Sequence, residues 1–288
     1  MATRHSAFYS PFICTVAAGF LAEEGIEATY AVAGPGDTYR TATMQGRTDV
    51  MQSAVSASWR DLDRGEAALP VHFAQINRMD GFLLAAREPD PRFEWKRLEG
   101  RTLLADHGAQ PFAMLRYSLR QRGVDLSAVR MINAGSPEQM ERAFRKGEGD
   151  YIHLQAPAPY LLQRDGVGSV VAFVGAKLAP CAFSSICARR EVLALSEFPG
   201  FLRAFARAKE WVRTALADEV AARESAYFPD IPVETLAQAV AGYQVLGNWS
   251  GGIGIPREDY EQSLDIFAAV GDLTVRRPYD EVCAAVTG

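Results

Sequence analysis

The feature that most constrains the fold is a repeated spacing of glycine and aspartate. In both copies 12 residues separate two glycines and an aspartate follows after 3 more: Gly34, Gly46 and Asp49, then Gly135, Gly147 and Asp150. Each copy reads as an extended segment, a Gly/Pro turn, a helix and a strand. The spacing therefore predicts one β-α-β unit used twice.

The second copy has clear helix signals in SPEQMERAFRKG, residues 136–147. Ser136 is placed to cap the helix and Pro137 suits its first position. Acidic residues come early and basic residues late, as the helix dipole favours. Because the connecting loops are short, the flanking strands are predicted to lie parallel in one sheet.

Further strand and helix patterns surround the two copies. The strand-like segments are AALPVHFAQI, DGFLLAARE, GRTLLADHG, VGSVVAFVGA and APCAFSSICARRE, and QPFAMLRYSLRQRG reads as a helix. From Phe198 onward the pattern is helical: one long amphipathic helix, FPGFLRAFARAKEWVRTALADEVAARE, precedes PVETLAQAVAGYQVLG and PREDYEQSLDIFAAVG.

This order predicts an α/β protein with two Rossmann-like lobes, a hinge and a cleft between the lobes. A length of 288 residues is enough for two domains. The first lobe is predicted to be discontinuous, with residues 1–83 and 182–288, and the second lobe to span residues 84–181. Two chain crossings would form the hinge.

Composition excludes several functional classes. The formal net charge is −5, with basic residues scattered among the acids, so nucleic acid is not expected as a partner. The longest apolar run, residues 170–176, is far shorter than the roughly 20 residues of a membrane span.

The four cysteines lack the spacing of a zinc or cluster site. We therefore predict no metal and expect free, mostly buried thiols. Cys181 and Cys187 are predicted to lie on one strand, too far apart for a disulfide.

The segment FICTVAAGFLA, residues 12–22, has the length and small residues of a signal-peptide core. Pro11 suits a helix start, and LAEEGIE reads as that helix ending at Gly25. We interpret the segment as the first helix of the fold rather than an export signal.

Several segments, in this order, resemble the type II periplasmic binding proteins: SPFICTVAAGFLAEEGIEATYAVAG, GRTDVMQSAVSA, DGFLLAARE, LEGRTLLADHGAQP and KGEGDYIHLQAPAPY. The likeness covers nearly the whole chain. It is greatest to the branch that serves nitrate, sulfonate, taurine and thiamine-pyrimidine transporters and includes the pyrimidine-forming synthase of fungi.

The resemblance implies a monomeric solute-binding protein of an ABC-type importer, with a small-molecule ligand, a membrane permease as partner and no cofactor. It implies a periplasmic location if a leader has been removed, and a cytoplasmic one if Met1 is the native start. The implied ligand is small and polar, anionic or heteroaromatic.

The first candidate contacts lie near the N-terminus. SPFI is predicted to form a strand-to-helix loop, in which Ser10, Phe12 and Ile13 meet the ligand; the alternative is a helix start packed on the core. The turn GPGDT brings Gly36 and Asp37 before a helix, where backbone N–H groups can cradle an anion. It lacks the lysine of a P-loop, so an ordinary turn is the alternative.

Two further pairs complete the first lobe. Ser56 and Trp59 follow the strand of the first copy, and either contact ligand or serve as a helix cap and a core residue. Asn77 and Arg78 follow HFAQI. Arg78 is suited to pair a carboxylate or sulfonate through two hydrogen bonds, although a solvent-facing role is equally compatible with the sequence.

The second lobe supplies four candidates. His107 and Gln110 lie in ADHGAQP, between a strand and a helix, where the resemblance implies ligand contact; an ordinary surface loop is the alternative for His107. Gln155 and Tyr160 lie in QAPAPY and are suited to hydrogen-bond and stack on a flat ligand. His153, within YIHLQ, is predicted to be a buried histidine with satisfied partners.

Two other functions stay open on the sequence alone. An enzyme on the same fold is one, but the residues that the fungal synthase needs, a cysteine cluster with iron and a pyridoxal-bound lysine, have no clear match. A desulfinase-like enzyme would need a nucleophile, and Cys14 lies near the corresponding loop; a core thiol is the alternative. A cytoplasmic small-molecule sensor is the other. No catalytic residue is assigned.

Overall fold

The computed structural model describes residues 1–34 and 36–286. The chain divides into two compact units. The first comprises Met1–Met79, Ala179–Asp265 and Leu273–Gly288, and the second comprises Asp80–Leu178 and Ile266–Asp272. The lobe boundaries expected from the sequence, after residues 83 and 181, stay a prediction.

The strands are β1 (Val50–Ser53), β2 (Val71–Asn77), β3 (Phe82–Ala86), β4 (Thr102–Leu104), β5 (Arg130–Ile132), β6 (Tyr151–Gln155), β7 (Ser169–Phe173) and β8 (Ser184–Ala188). The helices are α1 (Ser10–Ala17), α2 (Phe20–Glu23), α3 (Tyr39–Met44), α4 (Val55–Asp63), α5 (Ala109–Gln121), α6 (Pro137–Arg145), α7 (Ala158–Arg164), α8 (Phe198–Thr214), α9 (Ala217–Glu224), α10 (Val233–Leu246), α11 (Arg257–Ala269) and α12 (Tyr279–Val282).

The second unit contains a five-stranded sheet in the order β5-β4-β6-β3-β7. Strands β5 and β6 both run parallel to β4, which lies between them, and β3 is antiparallel to β6 and β7. The second copy is therefore a β-α-β unit built from β5, α6 and β6, as predicted. Ser136 and Gln139 form the cap of α6, because each side chain bonds the backbone of the other residue.

The first unit contains a three-stranded sheet in the order β1-β8-β2. Both outer strands are antiparallel to β8, so β1 and β2 run parallel to each other. The first copy is less regular than predicted, because its leading segment makes only a single parallel bridge, between Ala2 and Val32. Ala2 also bridges Gln52 in parallel, and thus takes the place that β4 has in the second copy.

Two sequence-based boundaries are wrong. The N-terminal helix breaks into α1 and α2 at Gly19, which has a left-handed φ of 85° that interrupts helical hydrogen bonding. The long helix after Phe198 ends at Thr214, and α9 begins at Ala217. The amphipathic pattern continues across the break, which is why periodicity alone joined the two helices.

The sequence also placed Cys181 on a strand, but β8 begins only at Ser184. The expected thiol state is confirmed, because all four cysteines are free and buried. Within residues 1–34 and 36–286, no helix is both long and apolar enough to span a membrane.

Candidate functional site

Polar side chains of the second unit gather at the carboxyl ends of β4 and β6. Asp106 follows β4 by two residues and Gln155 ends β6. Strand β3 begins at this same edge, because Phe82 pairs with Gln155, and Asp80 lies two residues before Phe82. Loops and helix N-termini converge at such an edge in α/β proteins, which makes it a binding edge.

Asp80 has no exposed surface. Its Oδ1 accepts a hydrogen bond from the Phe82 N–H at 2.8 Å, whereas Oδ2 has no partner among the described residues. The pKa of Asp80 is raised to about 8, mainly by burial; the Phe82 N–H and Arg122 act to lower it, and the nearby Asp106 carboxyl acts to raise it. Asp80 is therefore a neutral carboxylic acid near pH 7, able to donate from Oδ2.

Asp106 positions the start of α5. It is 3% exposed, and its Oδ1 accepts the Gly108 N–H at 2.8 Å. His107 lies beside it, with Nδ1 at 2.8 Å from the Ala105 carbonyl oxygen and its ring stacked on Phe112 at 4.2 Å. The neighbouring carbonyl fixes the ring, so His107 has one nitrogen, Nε2, left for another partner.

Gln110 is the second residue of α5 and is 5% exposed. Neither Oε1 nor Nε2 of its amide has a hydrogen-bond partner in the described part of the chain. An unpaired buried amide costs free energy, so such groups are uncommon unless a ligand or water completes them. Among the candidate residues of the second unit, Gln110 therefore has the strongest requirement for an additional hydrogen-bond partner.

The remaining candidates of this unit lie in and after β6. Gln155 is half-buried, and Tyr160 lies in α7 at 8% exposure. Burial raises the pKa of Tyr160 to about 12, so its hydroxyl stays protonated. His153 is fully buried in β6 with its ring 4.5 Å from that of Phe82.

In the first unit the corresponding edge is formed by the ends of β1 and β2 and the start of β8. Asn77 pairs with Ser184 in the sheet, and its side-chain amide donates to the Ser184 hydroxyl at 2.6 Å. The side-chain amides of Asn77 and Asn248 also contact each other at 2.6 Å. Asn77 is fully buried and committed to these contacts.

Arg78 is paired inside its own unit. Its Nε and Nη2 donate to the two carboxylate oxygens of Asp259 at 2.6 and 2.8 Å, and Asp259 is 2% exposed. Gln75 donates to the same carboxylate at 3.1 Å. The charge of Arg78 is thus balanced by Asp259, while its side chain is 22% exposed; a contact with an anionic ligand stays a prediction.

Lys209 lies next to this pair and is 3% exposed. Its Nζ donates to the carbonyl oxygens of Gln75 and Gly252 at 2.9 and 2.8 Å. Burial, together with the Arg78 charge, lowers the pKa of Lys209 to about 7. The lysine ties the segment around Gly252 to β2.

The SPFI segment is not a loop, contrary to the sequence-based expectation. Ser10, Phe12 and Ile13 lie in the first turns of α1, and all three are buried. The Ser10 hydroxyl donates to the Ala7 carbonyl oxygen at 2.7 Å and to Glu224 Oε1 at 2.9 Å. This matches the alternative given for the segment, a helix start packed on the core, and Pro11 lies in the first turn of α1 as its ring favours.

Glu224 is fully buried at the end of α9. The Cys14 thiol lies 3.7 Å from its Oε2. Burial raises the pKa of Glu224 to about 8, against the opposing hydrogen bonds from Ser10 and Cys14. The Cys14 pKa is raised well above its usual value, first by burial and then by Glu224, so this thiol is not activated.

Ser56 and Trp59 lie in α4 and are 1% and 2% exposed. The Trp59 Nε1 donates to the Tyr260 hydroxyl at 2.9 Å, and the two rings meet edge to face. These contacts match the core role that was the alternative for Trp59.

The GPGDT turn includes Pro35, which lies outside the described residues. Gly36 has a φ of +84°, and the Asp37 Oδ2 accepts the Gly34 N–H at 3.1 Å. Asp37 also pairs with Arg47. The Asp37 carboxylate therefore accepts one N–H group of this turn, and anion binding by the turn stays a prediction.

The sequence analysis missed three buried acidic residues: Asp80 and Asp106 at the carboxyl edge of the second unit's sheet, and Glu224 at the end of α9. The spacing Asp106-x-Gly108 before a helix was a usable signal, because aspartate bonds the backbone two residues on. Asp80 and Glu224 have no local signal, since their character comes from burial. Among the described residues, no group of three or more His, Cys, Asp or Glu side chains is arranged to hold a metal ion.

Comparison with known proteins identifies the family. The family model described as NMT1/THI5 like matches residues 7–215. The chain belongs to the NMT1/THI5-like family. The family resemblance read from the sequence is thereby confirmed.

One curated relative matches along most of its length. It is named "Putative binding protein YtlA", from Bacillus subtilis (strain 168), and is 24% identical over 282 residues, which covers 96% of this chain and 84% of the relative.

Solved structures share the fold across the chain. The alkanesulfonate-binding protein SsuA from Xanthomonas axonopodis pv. citri bound to MOPS superposes with a TM-score of 0.73 at 14% identity, covering 98% of this chain and 96% of that one. The desulfurization enzyme DSZB superposes with a TM-score of 0.66 at 13% identity, covering 99% and 96%. The predicted fold class, that of type II periplasmic binding proteins, is confirmed.

Proposed function

We propose that the protein is a solute-binding protein that captures a small polar or heteroaromatic molecule for an ABC-type importer. The observation that carries this proposal is the set of buried polar groups at the carboxyl edge of the second unit's sheet. Gln110 and Asp80 have side-chain atoms there without a hydrogen-bond partner among the residues that the structure describes. Polar groups of this kind orient a ligand in a binding site.

The relatives support the same function. YtlA is named as a binding protein and matches 96% of this chain, and SsuA binds alkanesulfonates on the same fold. The binding protein of an importer lies outside the cytoplasm and delivers its solute to a membrane permease. We propose the same location and the same kind of partner for this protein.

The surroundings of Cys14 favour binding over desulfinase-like chemistry. A nucleophilic cysteine needs exposure and a lowered pKa. Cys14 has no exposed surface, and burial beside Glu224 raises its pKa. The thiol therefore stays protonated and enclosed in the core of the first unit.

The test is a thermal-shift screen of the purified protein against sulfonates, nitrate, taurine, aromatic carboxylates, pyrimidines and thiamine precursors. A ligand at a hundredfold its Kd adds about 2.7 kcal/mol of stability, which raises the Tm by several degrees. Each mixture is then analysed by mass spectrometry. A stabilising compound recovered unchanged supports the binding function.

Two results would contradict the proposal. A stabilising compound that is converted to product makes the protein an enzyme. No shift with any compound of the screen counts against the capture of a small solute.

A further inference from the structure

A cavity lies within the second unit at the amino ends of β4 and β6, the edge of the sheet opposite to the one that carries Gln110. Strand β6 begins there with Tyr151, and β3 ends there, because Ala86 pairs with Tyr151. The cavity has a volume of about 640 Å³ and is lined by Tyr151 and by charged side chains of the neighbouring loops. A cavity of this size is within the range of sites that hold small molecules.

Tyr151 is the buried residue of this cavity, with 8% exposure. Its hydroxyl makes no hydrogen bond to another residue that the structure describes. Burial is the main cause that raises the pKa of Tyr151, so the hydroxyl stays protonated and can donate. Four charged groups also act on it, which places it between two ion pairs: Asp90, Arg101, Arg97 and Asp150.

The two arginines have N–H groups available at this hydroxyl. The Arg101 side chain is 60% exposed, and its Nη1 lies 3.8 Å from Asp150 Oδ1, which is too far for a hydrogen bond. Arg97 donates from Nη1 to Asp90 Oδ2 at 2.8 Å and has further N–H groups on the same fork. Of the four charged groups around Tyr151, Arg101 is thus the one whose side chain makes no hydrogen bond within the described residues.

Acidic side chains also line the cavity, but they are either bonded to the chain or exposed to water. Asp150 Oδ2 accepts the Thr102 N–H at 2.8 Å, and Glu99 Oε1 accepts the Asp125 N–H at 3.0 Å. Glu88 lies at the exposed rim, where solvent and salt screen its charge. The acids therefore hold the loops around the cavity, and the arginines and the tyrosine hydroxyl remain as donors for a ligand.

This set of donors indicates the class of ligand. Two guanidinium groups and a hydroxyl offer more N–H and O–H groups than the two oxygens of a carboxylate can accept. A phosphate monoester has three terminal oxygens, and guanidinium groups bind phosphate through paired hydrogen bonds. The volume of the cavity leaves room for the organic part of such an ester.

We propose that Tyr151, Arg97 and Arg101 form a second ligand site, separate from the candidate solute edge, which binds the phosphate group of a phosphate monoester. The proposal goes beyond the solute-binding function and does not depend on it. Small phosphate esters and monoester lipid headgroups share this chemistry.

The experiment measures the binding of glycerol 3-phosphate and inorganic phosphate by isothermal titration calorimetry, with acetate at equal ionic strength as the comparison. We expect one molecule of glycerol 3-phosphate to bind per chain, about tenfold or more tightly than acetate. Cosedimentation with phosphatidylcholine vesicles, with and without phosphatidic acid, distinguishes the sources. Binding only to vesicles that contain phosphatidic acid assigns the site to a lipid headgroup, and binding of the soluble ester assigns it to a small molecule.

Two variants test the residues directly. Arg101→Gln should lower the affinity for glycerol 3-phosphate about tenfold and Tyr151→Phe about fivefold, because each removes hydrogen bonds to a charged group. Arg130→Gln is the matched control, since Arg130 is an exposed arginine of the same sheet that does not line the cavity. It removes the same charge and should leave the affinity unchanged, and melting temperatures confirm that the three variants are folded.

Three outcomes would overturn the second site. The first is an affinity for glycerol 3-phosphate and for vesicles with phosphatidic acid no higher than for acetate and for plain vesicles. The second is an affinity that is unchanged in Arg101→Gln and Tyr151→Phe, or that falls equally in Arg130→Gln. The third is a solute of the broad screen that loses affinity in Arg101→Gln, because the two sites would then be one. The first two outcomes leave the solute-binding function intact, since the broad screen tests that function separately.

Discussion

Ser10, at the start of α1, donates a 2.9 Å hydrogen bond to Glu224, 214 residues later at the end of α9. Neither residue has exposed surface. The bond joins the first helix of the chain to the late helices. A carboxyl group that is buried without a basic partner is expected to be neutral, and the pKa of about 8 agrees with this.

This buried carboxyl should make stability depend on pH. The pKa of Glu224 is raised from 4.5 in the reference state to about 8 in the fold, so the folded protein holds a proton that the unfolded chain releases. The contribution of Glu224 to the free energy of unfolding is fully present below pH 4.5 and is lost as the pH rises to 8. This free energy falls by at most about 1.4 kcal/mol per pH unit.

The Glu224→Gln variant checks this, because glutamine keeps the shape without the titration. We expect the unfolding free energy of the parent, relative to the variant, to fall between pH 5 and 8 in urea titrations. A constant difference across that range would show that Glu224 does not change its protonation on folding.

The ion pair between Arg78 and Asp259 should contribute to the stability of the fold. Arg78→Ala leaves the buried Asp259 carboxylate without its main partner, which costs roughly 3 kcal/mol. The measurement is urea unfolding, with Arg213→Ala as the control. Arg213 pairs with exposed Glu210, so its loss should cost less than about 1 kcal/mol.

If Asp259 is the reason for the loss, Asp259→Asn in the Arg78→Ala background should recover part of it. An Arg78→Ala variant that is as stable as the parent but has lost ligand affinity would instead restore the anion-binding role considered for Arg78.

Two substitutions of Tyr160 distinguish the packing of its ring from the hydrogen bonding of its hydroxyl. The ring is buried and the hydroxyl stays protonated. Tyr160→Phe keeps the ring and should change stability by less than about 1 kcal/mol, whereas Tyr160→Ala removes the packing and should cost about 3 kcal/mol. If the hydroxyl binds the solute, Tyr160→Phe lowers affinity about tenfold in calorimetry; unchanged affinity would remove Tyr160 from the hydrogen-bonding part of the site.

Gly175 is packed against the backbone of Asp80. A Cβ at residue 175 would lie 2.2 Å from the Asp80 carbonyl oxygen, so Gly175→Ala must shift the chain and should cost about 1–3 kcal/mol. Gly252→Ala is the control, since nothing lies within 4 Å of its added Cβ. Equal melting temperatures for the two variants would show that the Asp80 segment moves freely.

The sequence predicted correctly those helices and strands whose signals lie within a few neighbouring residues. Ser136 caps α6 and Pro137 lies in its first turn, as predicted, and the strands of the second copy pair in parallel through β4. The prediction was wrong where the amphipathic pattern continues across a break in the helix, as between α8 and α9, which were predicted as one helix. Hydrophobic periodicity reports which face is buried but not whether the backbone hydrogen bonds are continuous.

The candidate ligand-binding residues were harder to predict from the sequence than the helices and strands. Trp59 and Arg78 have side chains suited to ligands, yet the structure pairs them with Tyr260 and Asp259, residues 201 and 181 positions away. Conversely, Asp80 and Glu224 are ordinary acidic residues in the sequence. They become neutral only because surrounding chain removes water from them.

The repeated Gly-to-Asp spacing, the helix caps and the alternation of apolar residues thus sufficed for the α/β class and the second β-α-β unit, because these signals lie within a few residues of each other. The family came from the resemblance of several segments in order. The tertiary structure alone decided which polar groups find partners within the described part of the chain and which, like the Gln110 amide, are buried there without one. That distinction depends on contacts between distant segments, and the cost of an unpaired buried group is what separates a structural side chain from a candidate ligand contact.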